Sequence, residues 1–133
     1  MKILVCGSGV IGSLLIHILA QNGNELTVLA RGKRREELEK YGLRMKFHGK
    51  KEINTDKPRV VGEIPAEHFD VAFSVMHHEQ QWKLLKTLGE ADCSAVVLVG
   101  NNLSASEMKQ QIIEAARDAE AIVCNKALID REI

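Results

Sequence analysis

The sequence predicts an α/β domain, doubly wound, with a mostly parallel sheet and helices on both faces. Three observations carry this expectation. Short apolar runs alternate with stretches of helical spacing along the whole chain. A glycine-rich turn joins the first apolar run to the first helical stretch. With 133 residues and 45 % hydrophobic composition, the chain has the length of one domain and enough apolar side chains for its core.

The elements follow in order. Ile3 to Cys6 is a short apolar run ended by Gly7, as suits a strand buried on both faces. From Val10 to Gln21 the apolar residues fall at 10, 11, 14, 15, 18 and 19, a helical spacing, and Asn22-Gly23-Asn24 supplies its stop. Leu26 to Ala30 is the next strand. Strand, glycine turn, helix and strand within thirty residues have the size of one βαβ unit. Arg31 to Tyr41 is a charged helix ended by Gly42. Leu43–Phe47 and Lys51–Asn54, separated by His48-Gly49-Lys50, form a hairpin-like excursion. Pro58 and Pro65 flank Val60-Val61, an irregular connection or short edge strand. Phe69 to Val75 is a buried strand, Glu79 to Leu88 a helix ended by Gly89, and Ala95 to Val99 another strand. Ser104 to Asp118 is a helix in which Ser104 and Glu107 are spaced as a capping box, and Ala121 to Cys124 is a last short strand.

Composition narrows the function. Eighteen basic residues balance eighteen acidic ones, so no global field favours nucleic acid or an anionic membrane. No apolar stretch has the length of a membrane span, and a cytoplasmic protein is expected. Cys6, Cys93 and Cys124 form no CxxC pair, which points to a reducing compartment and no disulfide framework. None of the five histidines has a metal-ligand spacing, so no metal site is expected.

Gly7-Ser8-Gly9-Val10-Ile11-Gly12 is a GxGxxG sequence directly after a strand and at the opening of a helix. This is the Rossmann-type arrangement. The first glycine permits the tight turn, the second lets the backbone approach a pyrophosphate, and the third lets the helix pack closely. Free N–H groups at the helix start, aided by the helix dipole, then face the phosphates. A flavin or an S-adenosyl ligand uses similar topology, so the ligand's identity rests on a second feature. That feature is Arg31, just after the second strand, where NAD-binding domains commonly carry an acidic residue for the ribose 2′-hydroxyl. A guanidinium can instead bind a 2′-phosphate through two bonds. NADP is therefore expected over NAD. Lys33 and Arg35 read as parts of a solvated helix face, paired with Glu36, Glu37 and Glu39. His77, at a strand end that faces the crevice in such a fold, is a candidate cofactor contact.

Four segments resemble the amino-terminal domain of the ketopantoate reductase family: KILVCGSGVIGSLL, LTVLARGKRREELEKYGLRM, FDVAFSVMHHEQQWKLLKTL and VVLVGNNLSASEM. The second is the most specific, with arginine-glycine after a strand, a charged helix and then YGLRM. The resemblance implies an NADPH-dependent reductase of a 2-keto acid, ketopantoate to pantoate being the family's reaction in pantothenate synthesis. It implies that Gly7, Gly9, Gly12 and Arg31 hold NADPH, that Asn101 lies near the nicotinamide and substrate, and that Gln80 matches a family glutamine. Two departures stand out. His77 occupies the place of a family lysine, and Asn101 is followed by Asn102-Leu103-Ser104 where the family has glycines.

The resemblance further implies a helical carboxy-terminal domain, absent here, that carries the proton-donating lysine and the substrate-binding groups. No catalytic residue of this chain maps to that role. The chain is thus expected to be a cofactor half-site, inactive alone, with a bare sheet edge that favours a homodimer. The alternatives are a non-catalytic module that senses or sequesters a dinucleotide, and a Rossmann domain of another dehydrogenase family.

Overall fold

A computed structural model describes residues 1–46, 49–76, 80, 83, 84, 87, 88, 90–100 and 120–125, the last six and Gly100 by the course of the chain alone. The elements are β1 (Lys2–Cys6), α1 (Val10–Gln21), β2 (Glu25–Leu29), α2 (Gly32–Tyr41), β3 (Leu43–Lys46), β4 (Ile53–Asp56), β5 (Arg59–Val61), β6 (Phe69–Val75), β7 (Cys93–Gly100) and β8 (Glu120–Asn125). Six strands form one sheet in the order β5-β2-β1-β6-β7-β8, and every neighbouring pair in it is parallel. This is the doubly wound order in which the chain starts at the centre, builds outward to one edge, then returns and builds toward the other.

Alternation along the strands divides the core between the two faces of the sheet, because successive side chains point to opposite sides. Ile3 and Val5 of β1 join Leu26 and Val28 of β2 on the face covered by Ile16 of α1 and Leu38 of α2. Leu4 and Cys6 join Leu29, Ala72, Val96 and Leu98 on the other face. There they meet Leu84 and Leu88, two of the helical residues between β6 and β7. Helices thus lie on both faces. Glu90, one residue past the expected stop, is helical, and Ala91 N–H donates to the Thr87 carbonyl at 3.1 Å.

The excursion after α2 is an antiparallel hairpin of β3 and β4, with its second strand later than Lys51–Asn54. The cause is a buried polar pair. Register places Asp56 opposite Leu43, and the Asp56 carboxylate meets His17 Nδ1 of α1 at 2.7 Å. Gln21 Nε2 donates to the same carboxylate at 3.4 Å. An aspartate that is only 9 % exposed needs such partners. Val60-Val61 lies in β5, an edge strand parallel to β2. The expected helix Ser104–Asp118 lies outside the described residues. No helix among the described residues is long and apolar enough to cross a membrane.

Candidate dinucleotide site

The chain order reverses between β1 and β6, which puts a crevice at the carboxyl ends of these central strands. Gly7 to Gly12 lies there, running from the end of β1 into α1. The three glycines differ in what requires them. Gly7 has φ +106°, and a Cβ on it would overlap the Val75 carbonyl oxygen at the end of β6. A Cβ on Gly12 would overlap the Gly7 carbonyl oxygen. Gly12 therefore lets α1 seat on the turn itself, more than on the sheet. Gly9 has neither reason. Its φ of −71° suits any residue, and a Cβ there meets nothing within 4 Å. The protein leaves that space open.

The start of α1 is equally bare. Gly9 is its N-cap, no side chain caps it, and its first turn holds no acidic residue. Its first N–H groups have no partner one turn back, and the Gly9 N–H donates to no acceptor among the described residues. Val10 and Ile11 are exposed at this end, 89 % and 55 %. Uncapped N–H groups with the positive end of a helix dipole make a place for an anion.

Arg31 follows β2 and is the N-cap of α2. Its side chain is exposed and makes no hydrogen bond or ion pair among the described residues. Gly32, Lys33 and Arg34 form the first turn of α2, again without an acidic residue. Arg35 pairs with Glu39 at 2.9 Å and lies against Gly62, just past β5.

Arg34 behaves differently, and sequence reasoning missed it. Its Nε donates to the Ser8 carbonyl at 3.2 Å and faces Ser8 Oγ at 3.3 Å, and its Nη2 donates to Ser13 Oγ at 3.1 Å. Ser13 Oγ in turn donates to the Ser8 carbonyl at 3.0 Å. The second helix is thereby tied to the glycine turn. The signal in the sequence was a basic residue in the first turn of a helix, where the dipole disfavours it.

Cys6 directly precedes the turn, and burial pushes its thiol up to about 12, so it offers no thiolate there. Gln80 is helical and exposed, in the connection from β6 to β7. His77 and Asn101 lie outside the described residues. Ser8, Gly9, Gly12 and Arg31 are thus found around one end of the central strands, with Arg34 and Ser13 added to them.

The chain is similar to known dehydrogenase structures. Against D-mandelate dehydrogenase, solved with NADH and anilino(oxo)acetate, identity is 22 % over 94 % of this chain and 40 % of that one, with a TM-score of 0.78. Against 2-dehydropantoate 2-reductase from Methylococcus capsulatus the values are 24 %, 92 %, 40 % and 0.69. Against a PanE/ApbA family ketopantoate reductase from Ralstonia eutropha they are 18 %, 92 %, 40 % and 0.72. These likenesses are of fold, and the chain spans 40 % of the length of each of these relatives. No curated protein matches it. The family model described as ketopantoate reductase PanE/ApbA matches residues 3–129, nearly the whole sequence and with it the turn, Arg31 and the strands that place them, and to that family the chain belongs.

Proposed function

We propose that this chain is the NADP(H)-binding part of an oxidoreductase that reduces a 2-keto acid, with ketopantoate as the substrate the family suggests. The residues present fit the cofactor. Gly9 leaves room for close approach of a pyrophosphate, and the uncapped start of α1 supplies donors for it. Ser8, Val10 and Ile11 complete that turn. Bound NADPH supplies a hydride for the reduction of a ketone. The chain's own residues hold the two phosphate-bearing ends of the adenosine half. Reduction also requires a general acid for the forming alkoxide, and the resemblance places that group in a further helical domain.

The observation that carries NADP over NAD is Arg31, an exposed guanidinium without a partner among the described residues, at the end of β2. A carboxylate at this place would bind the ribose hydroxyls and repel a 2′-phosphate, whereas a guanidinium attracts it. Fluorescence titration with NADPH and NADH tests the proposal. A charge-assisted bond of about 1.5–3 kcal/mol corresponds to roughly ten- to a hundredfold in affinity. The native chain is expected to prefer NADPH by about that factor, and Arg31→Ala to bring NADPH down to the NADH level. Equal or tighter binding of NADH by the native chain would remove the NADP assignment.

A further inference from the structure

Resting on the dinucleotide reading above, we infer that Arg34 and Ser13 are positioning residues that aim the Gly9 N–H at the cofactor pyrophosphate by holding the Ser8 carbonyl. Two donors converge on that carbonyl oxygen, Ser13 Oγ from α1 at 3.0 Å and Arg34 Nε from α2 at 3.2 Å. None of the described peptide bonds is cis. In a planar trans peptide the carbonyl and the following N–H point in opposite directions. With the Ser8 oxygen drawn toward the two helices, the Gly9 N–H is turned away from both. It has no acceptor there among the described residues, and Gly9 carries no side chain to obstruct a ligand.

The network is built as a support. Ser8 and Ser13 are buried, 9 % and 8 % exposed, and Arg34 Nη2 holds the Ser13 hydroxyl that holds the Ser8 carbonyl. The guanidinium therefore fixes the peptide directly and through Ser13. A cation on the carbonyl oxygen also polarises the peptide and strengthens its N–H as a donor. Glu37 meets Arg34 Nη1 from the solvent side at 3.5 Å, which steadies the arginine without drawing it off the turn.

Because both NADPH and NADH carry the pyrophosphate, a positioning role and a 2′-phosphate contact give different results. Arg34→Ala in the 133-residue chain is expected to weaken NADPH and NADH alike, by about tenfold, leaving their ratio unchanged. Arg34→Lys, which keeps the charge but loses the fork, should fall between. Ser13→Ala should weaken both ligands in the same way, and Ser13→Thr, which keeps a hydroxyl, should restore them. The second readout needs no ligand. In amide NMR of the free chain, Arg34→Ala should shift or broaden Gly9 while the β1 and β2 amides stay in place. Loss of NADPH binding alone would make Arg34 a 2′-phosphate ligand and overturn the inference. Unchanged affinities, or an unchanged Gly9 amide, would overturn it as well. If the native chain bound neither dinucleotide, the cofactor reading would fail, and the Gly9 amide would still decide whether Arg34 orients the turn.

Discussion

Replacing Gly9 and Gly12 separately with alanine should divide ligand space from folding. At Gly12 the new Cβ would press on the Gly7 carbonyl oxygen, which is backbone and cannot rotate aside. Either α1 lifts from the turn or the turn opens. Overpacking of this kind costs about 1–3 kcal/mol, sometimes more, and for a domain of this size each kcal/mol moves Tm by about 3 °C. Gly12→Ala should therefore melt roughly 3–9 °C lower. At Gly9 the Cβ meets nothing within 4 Å, and φ is already −71°. Restricting the unfolded chain gains about 0.4–1 kcal/mol, while alanine is a poorer N-cap than glycine by a similar amount. The two effects nearly cancel, so Gly9→Ala should melt within about 3 °C of the native chain. Its methyl, however, occupies the space left for the pyrophosphate, and NADPH affinity should fall by tenfold or more, on the order of 1.4 kcal/mol. Circular dichroism melts and NADPH titration of the same samples measure both quantities. If Gly9→Ala melted as low as Gly12→Ala, the space at Gly9 would not be free. If it bound NADPH as the native chain does, that space would not belong to the ligand.

Two further outcomes follow from groups outside the turn. Burial pushes the Cys6 thiol up to about 12 and, with help from Asp92, Cys93 up to about 11. At pH 8 both should resist iodoacetamide in the folded chain and react only after denaturation, as peptide mass spectrometry would show. A Cys6 peptide labelled before unfolding would contradict its burial. Hydrogen bonds from Lys2 and Arg59 hold the Glu67 carboxyl below its usual value of 4.5. A depressed carboxylate stabilises the fold above its unfolded pKa and loses that contribution as pH falls through the folded one. Glu67→Gln should therefore melt below the native chain at pH 7, and the difference should close below pH ~4. A difference that did not shrink as the pH fell through the acid range would mean the pair is not the source.

Most of the fold was legible because its strands are short apolar runs and its turns are marked by glycine. The sequence alone gives one strand at Val60-Val61 no more than an edge, since three residues carry too little periodicity, yet pairing with β2 makes it part of the sheet. The hairpin's register was not legible. It depends on Asp56 reaching His17, a contact between residues 39 apart that no local pattern encodes. The site divides in the same way. Gly7, Gly9, Gly12 and Arg31 are visible as a motif with a required spacing. Arg34 and Ser13 are not, because their meeting depends on how α2 lies across the start of α1, 21 residues earlier.

The distribution of charge argues for the same end of the molecule. The chain is neutral overall, and where Lys2 and Arg59 begin their strands they are satisfied by Glu67, with Asp70 accepting from the Lys2 N–H at 2.7 Å. At that amino-terminal end both of these cations are paired. The carboxyl edge is the reverse. There α1 begins without a cap or an acid, and α2 begins with Arg31, Lys33 and Arg34 against its own dipole. Basic residues at a helix start are unfavourable by about 0.3–1 kcal/mol each at low salt. Arg34 recovers part of this through Ser8, Ser13 and Glu37, whereas Arg31 and Lys33 have no such partners among the described residues. Folding alone gives no reason to gather uncompensated positive charge beside two uncapped helix starts. The proposed ligand, with one phosphate pair for α1 and another phosphate for Arg31, would supply one.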